Sequence, residues 1–80
     1  MVTVAAYLLC KVRMGYVQRV VEALRELEAA TSIAVTTGEF DVIVRLDLPS
    51  LEDLYHVTVD RIGKIEGLED LATAVIEKEF

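Results

Sequence analysis

Several residue types that usually stabilise or equip a small domain are scarce in this 80-residue chain. It contains one cysteine, one histidine, one proline and no tryptophan. A single cysteine excludes an internal disulfide, and one cysteine with one histidine cannot build a cysteine–histidine zinc site. No phosphate-binding glycine loop and no nucleophile or metalloprotease motif is present. We therefore expect no metal, no cofactor and no enzymatic activity.

Basic residues are also in short supply. The chain has 8 basic and 14 acidic residues, for a net charge of −6, and its lysines and arginines are dispersed. Nucleic-acid-binding surfaces cluster such residues to neutralise phosphates, so direct DNA or RNA binding is not expected. No apolar run approaches the ~20 residues that span a bilayer, and no basic residue precedes Val2–Leu9 as in a signal peptide. The expected location is the cytoplasm, with no membrane partner.

Apolar residues are abundant instead, at 54% of the chain. Residues 1–80 are expected to form one domain, close to the size at which a single core is only marginally sufficient. Small domains that lack disulfides and metals often gain stability by oligomerisation. The composition therefore predicts a homo-oligomer.

The first half of the chain has the pattern of a strand, a helix and a second strand. Val2–Val12 is apolar at both parities, which predicts a central strand buried on both faces. Strand character returns at Ile33 and Val35 and ends at Gly38. Between the two strands, after Gly15, apolar residues recur with the spacing of an amphipathic helix; they are Val17, Val20, Val21, Leu24 and Leu27.

The second half repeats this order. Phe40–Leu48 alternates strictly, with Phe40, Val42, Val44, Leu46 and Leu48 on one face, as in a strand with one face in a core. Ser50 is a natural N-cap, with Asp53 completing an approximate capping box. Leu68–Phe80 is predicted as the final strand. The second helix is expected to bury a stripe formed by Leu51, Leu54, Thr58, Ile62 and Ile65.

Strand–helix–strand, repeated twice and joined by a hairpin, is the ferredoxin-like βαββαβ pattern of the α+β class. Right-handed crossovers place both helices on one face of a four-stranded antiparallel sheet. The other face is then open, and neither parity of the first or last strand is convincingly polar. A broad apolar sheet face needs a cover, so we predict a dimer packed through the sheets.

The hairpin within Thr36–Arg45 is the strongest candidate for a ligand site. Backbone N–H groups beside Gly38 can hold the carboxylate of a free amino acid, while Asp41 or threonine oxygens can accept from its ammonium. The same residues also fit a polar turn in which Asp41 ties down its own backbone. Elsewhere, His56 fits a surface or interface histidine better than a catalytic base. Cys10 fits a small buried hydrophobe better than a reactive thiol.

Four segments resemble a known family in order and spacing. They are Leu24–Leu27, Thr37–Asp41, Ser50–Leu54, and Gly67-Leu68 leading to Thr73, and the glycine-x-aromatic-aspartate motif at Gly38–Asp41 is the most specific of them. The chain resembles the C-terminal effector (RAM) domain of the Lrp/AsnC, or feast/famine, regulators. Because it starts directly at the first strand, it looks like the stand-alone form that lacks the helix-turn-helix domain.

This resemblance implies a ferredoxin-like fold that pairs into a dimeric α+β barrel, and dimers that assemble into rings such as octamers. It implies a free amino acid as effector, bound at contacts between dimers, and modulation of transcription through association with full-length Lrp/AsnC regulators. Leu71 stands where many members have a second polar residue, which bears on ligand identity. The ligand residues implied by position are Thr37, Gly38, Glu39, Phe40, Asp41 and Thr73.

Two other functions remain compatible with the sequence. Small dimeric ferredoxin-like proteins include cofactor-free monooxygenases, which use a cavity between sheet and helices. In such an enzyme His56 and Tyr7 are the residues to suspect. A purely structural oligomerisation module is the other alternative, and a dry, tightly filled junction between dimers would favour it.

Overall fold

The computed structural model describes residues 3–80. Two helices and four strands follow one another along this part of the chain. The second helix continues beyond its α-helical part as a π-helical turn (Val57–Arg61) and a 3₁₀ turn (Ile62–Lys64). The elements are β1 (Val4–Val12), α1 (Val17–Arg25), β2 (Ala30–Val35), β3 (Val42–Leu48), α2 (Leu51–His56) and β4 (Leu68–Val75).

The four strands form one antiparallel sheet in the order β2-β3-β1-β4. The predicted βαββαβ fold is confirmed. Alternate residues of β1 and β3 pack with buried residues of both helices in a single core, so the helices share one face of the sheet. No helix in the described part of the chain is long and apolar enough to cross a membrane. The fully or nearly buried core residues are Ala6, Leu8, Cys10, Val12, Val20, Leu24, Leu27, Val42, Val44, Leu46, Leu48, Leu54 and Ile62.

The start of α2 is fixed by local chemistry, as the sequence predicts. The Ser50 hydroxyl oxygen accepts from the Asp53 N–H at 3.1 Å, and the hydroxyl donates to the Asp53 carboxylate at 2.8 Å. This satisfies one of the backbone donors that every helix leaves open at its N-terminus. Leu54 and Ile62 are buried as expected, but Leu51 is 61% exposed, so the predicted stripe is wrong at its first position. Leu51 lies in the first turn, at the very end of the helix.

The last strand is shorter than the sequence predicts. It ends at Val75 rather than Phe80, because its partner β1 starts at Val4 and the final bond of the pair joins the Ile76 N–H to the Ala5 carbonyl. Beyond that point the tail leaves the edge of the sheet, and the Glu79 carboxylate reaches Arg45 of β3. The predicted start of β1 at Val2 lies outside the described residues.

Strand β1 is central, as predicted, but it is not buried on both faces. One parity is in the core, whereas Tyr7 on the other is 40% exposed. The register places Tyr7 beside Ala74 and Leu9 beside Ala72 and Ile43 on this face. No helix covers these residues, because both crossovers lie on the other side. This face, which we call the open face, is therefore largely apolar and accessible in one protomer.

A charged cluster marks one part of the open face. The Arg45 guanidinium contacts Asp47 at 3.2 Å and both carboxylate oxygens of Glu79, at 3.1 and 3.2 Å. Hydrogen bonds from Arg45, and for Asp47 also from Thr31, hold the pKa of both carboxyls below their usual range. The pKa of Arg45 is raised, first by Glu79 and then by Asp47. The cluster anchors the C-terminal tail to β3.

Candidate functional site

The hairpin between β2 and β3 is a short, internally bonded loop. The Thr36 N–H donates to the Asp41 carbonyl at 2.9 Å, and the Thr36 hydroxyl donates to the Phe40 carbonyl at 2.8 Å. Gly38 has φ +115°, a conformation that side-chain-bearing residues rarely adopt, and an added Cβ would meet no other described atom within 4 Å. The backbone at Gly38 is therefore open to approach by another molecule.

Asp41 has a structural task that the sequence does not reveal. Its carboxylate oxygen Oδ2 accepts from the Val12 N–H at 2.8 Å, and its own N–H donates to the Cys10 carbonyl at 2.9 Å. The side chain thus takes the place of a backbone carbonyl in the ladder between β1 and β3. As predicted, the Asp41 side chain bonds to a backbone group, but that group belongs to the neighbouring strand β1 and not to the hairpin itself.

The remaining tip residues are free to face a ligand. Thr37, Gly38 and Glu39 are all exposed, and Phe40 is half-buried. The Lys11 ammonium lies 6.0 Å from the centroid of the Phe40 ring, at the outer limit of a cation–π contact. Lys11 is not among the site residues that the sequence predicts. Its only signal is a lysine near the end of an apolar strand, and the register of β1 is needed to bring it beside the hairpin.

Thr73 does not join the hairpin within one protomer. Thr73 lies opposite Leu8 of β1. The hairpin begins further along β1, level with Cys10 and Val12. Strand β1 also separates β4 from β3. With strands about 4.8 Å apart and a rise of about 3.3 Å per residue, Thr73 is more than about 10 Å from the Asp41 backbone. A single amino acid can touch both only if Thr73 belongs to a different copy.

One groove lies at the opposite end of the molecule from the hairpin. Its volume is about 470 Å³, and its lining includes Leu27, Leu48, Pro49 and Arg61. None of the six residues implied for ligand binding contributes to it. This groove is open and mixes apolar with charged side chains, so its geometry selects no ligand class.

The two residues suspected for oxygenase chemistry are far apart in the fold. Tyr7 lies on the open face, while His56 is exposed on α2 beyond the other face, between Glu52 at 3.8 Å and Asp60 at 3.3 Å. They do not line a common cavity. Cys10 is fully buried, and this burial raises the pKa of its thiol to about 11, in agreement with a structural cysteine. Within residues 3–80 no cluster of three metal-ligating side chains occurs.

Comparison with known proteins assigns the family. A sequence profile for the Lrp/AsnC ligand binding domain matches residues 5–80. The HTH-type transcriptional regulator FL11 of Pyrococcus abyssi is 32% identical over 73 residues, which are 91% of this chain and 48% of the relative. The chain spans about half the length of the curated relatives that it matches.

Solved structures share this fold. TTHA0845 of Thermus thermophilus superposes with a TM-score of 0.91 at 27% identity, over 96% of each chain. The transcriptional regulator NMB0573 of Neisseria meningitidis, solved as a complex with L-Met, superposes with a TM-score of 0.88 at 18% identity, over 95% of this chain and 51% of its own. With the fold, the hairpin motif and the profile in agreement over nearly all of its length, the chain belongs to the Lrp/AsnC ligand binding domain family.

Proposed function

We propose that this domain binds a free amino acid at the Gly38 hairpin and thereby modulates transcription through full-length Lrp/AsnC regulators. The observation that carries the proposal is the exposed hairpin tip, where open backbone at Gly38 stands beside the polar side chains of Thr37 and Glu39. The family assignment supports ligand binding as the task of the domain. A regulator that shares this fold over about half of its length has been solved as a complex with L-Met.

The chemistry of the tip matches both charged groups of an amino acid. Backbone N–H groups around Gly38 and the nearby Lys11 ammonium are donors for the carboxylate. Glu39 and the Thr37 hydroxyl are acceptors for the ammonium. The structural hydrogen bond of the Asp41 carboxylate uses Oδ2, which leaves Oδ1 as a third acceptor. The side chain of the amino acid then points away from the hairpin, toward whatever surface faces it.

That facing surface is supplied by another copy in our proposal. The tip is solvent-exposed, and Thr73 lies too far away to help within the same protomer. A partner is expected in any case, because the open face exposes apolar side chains such as Tyr7. Dimers packed through this face, and rings of dimers such as octamers, bring Thr73 of one copy toward the hairpin of another. The ligand shifts the assembly only by its differential affinity for one oligomeric state.

The route to transcription is indirect in this proposal. With a net charge of −6, the domain is unsuited to contact nucleic acid itself. Relatives such as FL11 are about twice as long as the matched segment and are HTH-type regulators. A domain that shares their ligand-binding fold can enter their assemblies and change their response to amino acids.

The decisive experiment is calorimetric titration of the assembled protein with each of the twenty amino acids, followed by variants. Thr37→Val removes only the exposed hydroxyl and is expected to weaken binding of the best amino acid about tenfold, the value of one hydrogen bond to a charged group. Thr3→Val is the matched control: it makes the same change at an exposed position before β1, at the other end of the sheet, and should bind as the wild type does.

Light scattering tests the assembly separately. A stable monomer in solution would contradict the oligomer, whereas an oligomer that binds none of the twenty amino acids would contradict ligand binding while leaving the assembly intact. Equal weakening by Thr37→Val and Thr3→Val would show that the site is not at the hairpin.

A further inference from the structure

Strand β2 is an edge of the sheet with free backbone groups. Among the described strands it pairs with β3 alone. The Thr36 N–H donates to Asp41, and in an antiparallel ladder every second residue faces the partner strand in this way. Ala34 therefore also faces β3, and the intervening residues turn their N–H and C=O groups outward. Those residues are Ile33 and Val35.

After an irregularity between Ala30 and Ser32, the rest of β2 lacks the features that normally prevent edge strands from pairing with other molecules. From Ala29 through Gly38 the sequence contains no charged residue and no proline. Natural edge strands are usually protected by lysine, proline or a covering segment. Val35, in the last position of β2, is 64% exposed. A strand of this length and composition, left open, favours pairing with a further strand.

A groove runs beside the same edge on the helix side of the sheet. It has a volume of about 300 Å³, and its lining includes Val21 and Arg25 of α1 together with Ile33 and Val35 of β2. A further strand alongside β2 would set the side chains of that strand over this groove. Backbone pairing and apolar burial are thus available at one place, as in other cases of strand addition.

Charge allows a second copy of this chain to occupy this edge. Two chains of net charge −6 repel each other, so they can meet closely only where carboxylates are absent. Strand β2 meets this condition, and its flanking acids Glu28 and Glu39 lie where the chain has left the sheet. The other edge, β4, does not, because it carries the carboxylates of Glu69 and Asp70 within the strand, and like charges brought opposite one another destabilise a sheet.

We propose that β2 pairs antiparallel with β2 of a second copy, about a two-fold axis at Ala34. In this register Ile33 of each copy faces Val35 of the other, and each such pair exchanges both N–H···O bonds through the outward groups. The arrangement is self-complementary, as a two-fold interface requires. It joins two four-stranded sheets into one continuous sheet and covers the groove beside Val21.

This edge interface is distinct from the open face and does not depend on amino-acid binding. The two surfaces use different sides of the sheet, so one copy can use both at once. The same register directs the end of each β2, and the hairpin that follows it, toward the start of the other β2. Edge pairing can therefore build the surroundings of the hairpin.

The first test is the solution mass of two matched variants. Val35→Lys puts an ammonium at the free edge of β2, and Val75→Lys makes the same change at an exposed position of β4. We expect Val35→Lys to have at most half the wild-type mass, since every two-fold edge contact is lost, while Val75→Lys keeps the wild-type mass. Circular dichroism checks that both remain folded. A wild-type mass for Val35→Lys, or an equal fall for both variants, would overturn the proposal.

The second test fixes the register by cross-linking. Opposed Ala34 residues are a non-hydrogen-bonded pair with Cα atoms about 4.5 Å apart, within the range that a disulfide bridges. Ala34→Cys should therefore form a covalent dimer under mild oxidation. Ser32→Cys, on the same side of the same strand, should not, because its two copies lie more than about 10 Å apart. The native Cys10 is buried and does not compete. Failure of Ala34→Cys to cross-link, or equal cross-linking of both, refutes the register.

Discussion

Removing the Asp41 carboxylate tests whether this residue holds the sheet together. The bond from the Val12 N–H to Oδ2 is 2.8 Å long and partly buried, and Val12 itself is only 8% exposed. A hydrogen bond to a charged acceptor contributes about 1.5–3 kcal/mol, and truncation also leaves the Val12 N–H without its partner. We therefore expect Asp41→Ala to lower the free energy of unfolding by about 2–3 kcal/mol.

In a domain of this size, that loss lowers the melting temperature by about 10–20 °C. The assay is urea unfolding followed by circular dichroism, at one fixed protomer concentration, because oligomerisation makes apparent stability concentration-dependent. Asp41→Asn keeps a neutral acceptor and should lose only about 1 kcal/mol. Glu39→Ala removes an exposed carboxylate from the same hairpin and should change stability by less than about 0.5 kcal/mol.

The reasoning fails if Asp41→Ala is within about 0.5 kcal/mol of the wild type, or if Glu39→Ala costs as much. Confirmation would also affect how ligand-binding variants are interpreted. Loss of amino-acid binding in Asp41→Ala would then report a loosened β1–β3 contact as much as a lost ligand contact. Thr37, whose side chain is exposed, is the cleaner probe of the ligand.

Three further predictions concern other parts of the fold. The Arg45 guanidinium lowers the pKa of Glu79, so the ionised carboxylate stabilises the fold above its unfolded pKa, and this stabilisation is lost as pH falls through the folded pKa. The difference in melting temperature between wild type and Glu79→Gln should therefore be present at about pH 6 and shrink below about pH 4. Gly67→Ala should cost about 2–4 kcal/mol in urea unfolding, because its φ is +95° and the new Cβ would lie 2.5 Å from Tyr16 Cβ. Cys10, buried and with its pKa raised to about 11, should react with a disulfide reagent at about pH 8 only after denaturant is added.

Each of these has a defined contrary result. A Glu79→Gln difference that persists unchanged into acid would rule out the carboxylate as its source. Gly15→Ala is the control for Gly67→Ala, because Gly15 has φ +88° but open space around it, so only about 1–2 kcal/mol of backbone strain is expected. Equal costs at both glycines would contradict the clash with Tyr16. Rapid labelling of Cys10 in the native protein would show that β1 is accessible from its core side.

Local patterns were sufficient for the order and type of the elements. Strict alternation from Phe40 to Leu48 required a half-buried strand, and β3 buries Val42, Val44, Leu46 and Leu48 as that pattern demands. Ser50 and Asp53 specified the start of α2 through side-chain bonds over three residues. Such features depend on groups close in sequence, which is why a single chain displays them. The end of β4 is different, because a strand continues only while its neighbour does.

The candidate site likewise combines features set by the local sequence with features set by tertiary contacts. The sequence by itself determined the Gly38 hairpin, since a glycine between two strand patterns and its flanking polar residues are local features. Only the tertiary structure decided what the hairpin residues do: Asp41 bonds to Val12 and Lys11 lies near Phe40. Thr73 lies two strands away from the hairpin. These contacts depend on strand register, which is set by the packing of the whole core and not by any short segment. Likewise, the sequence does not show that β2 has a free edge, because the strand order of the whole sheet decides which strand lies at its border.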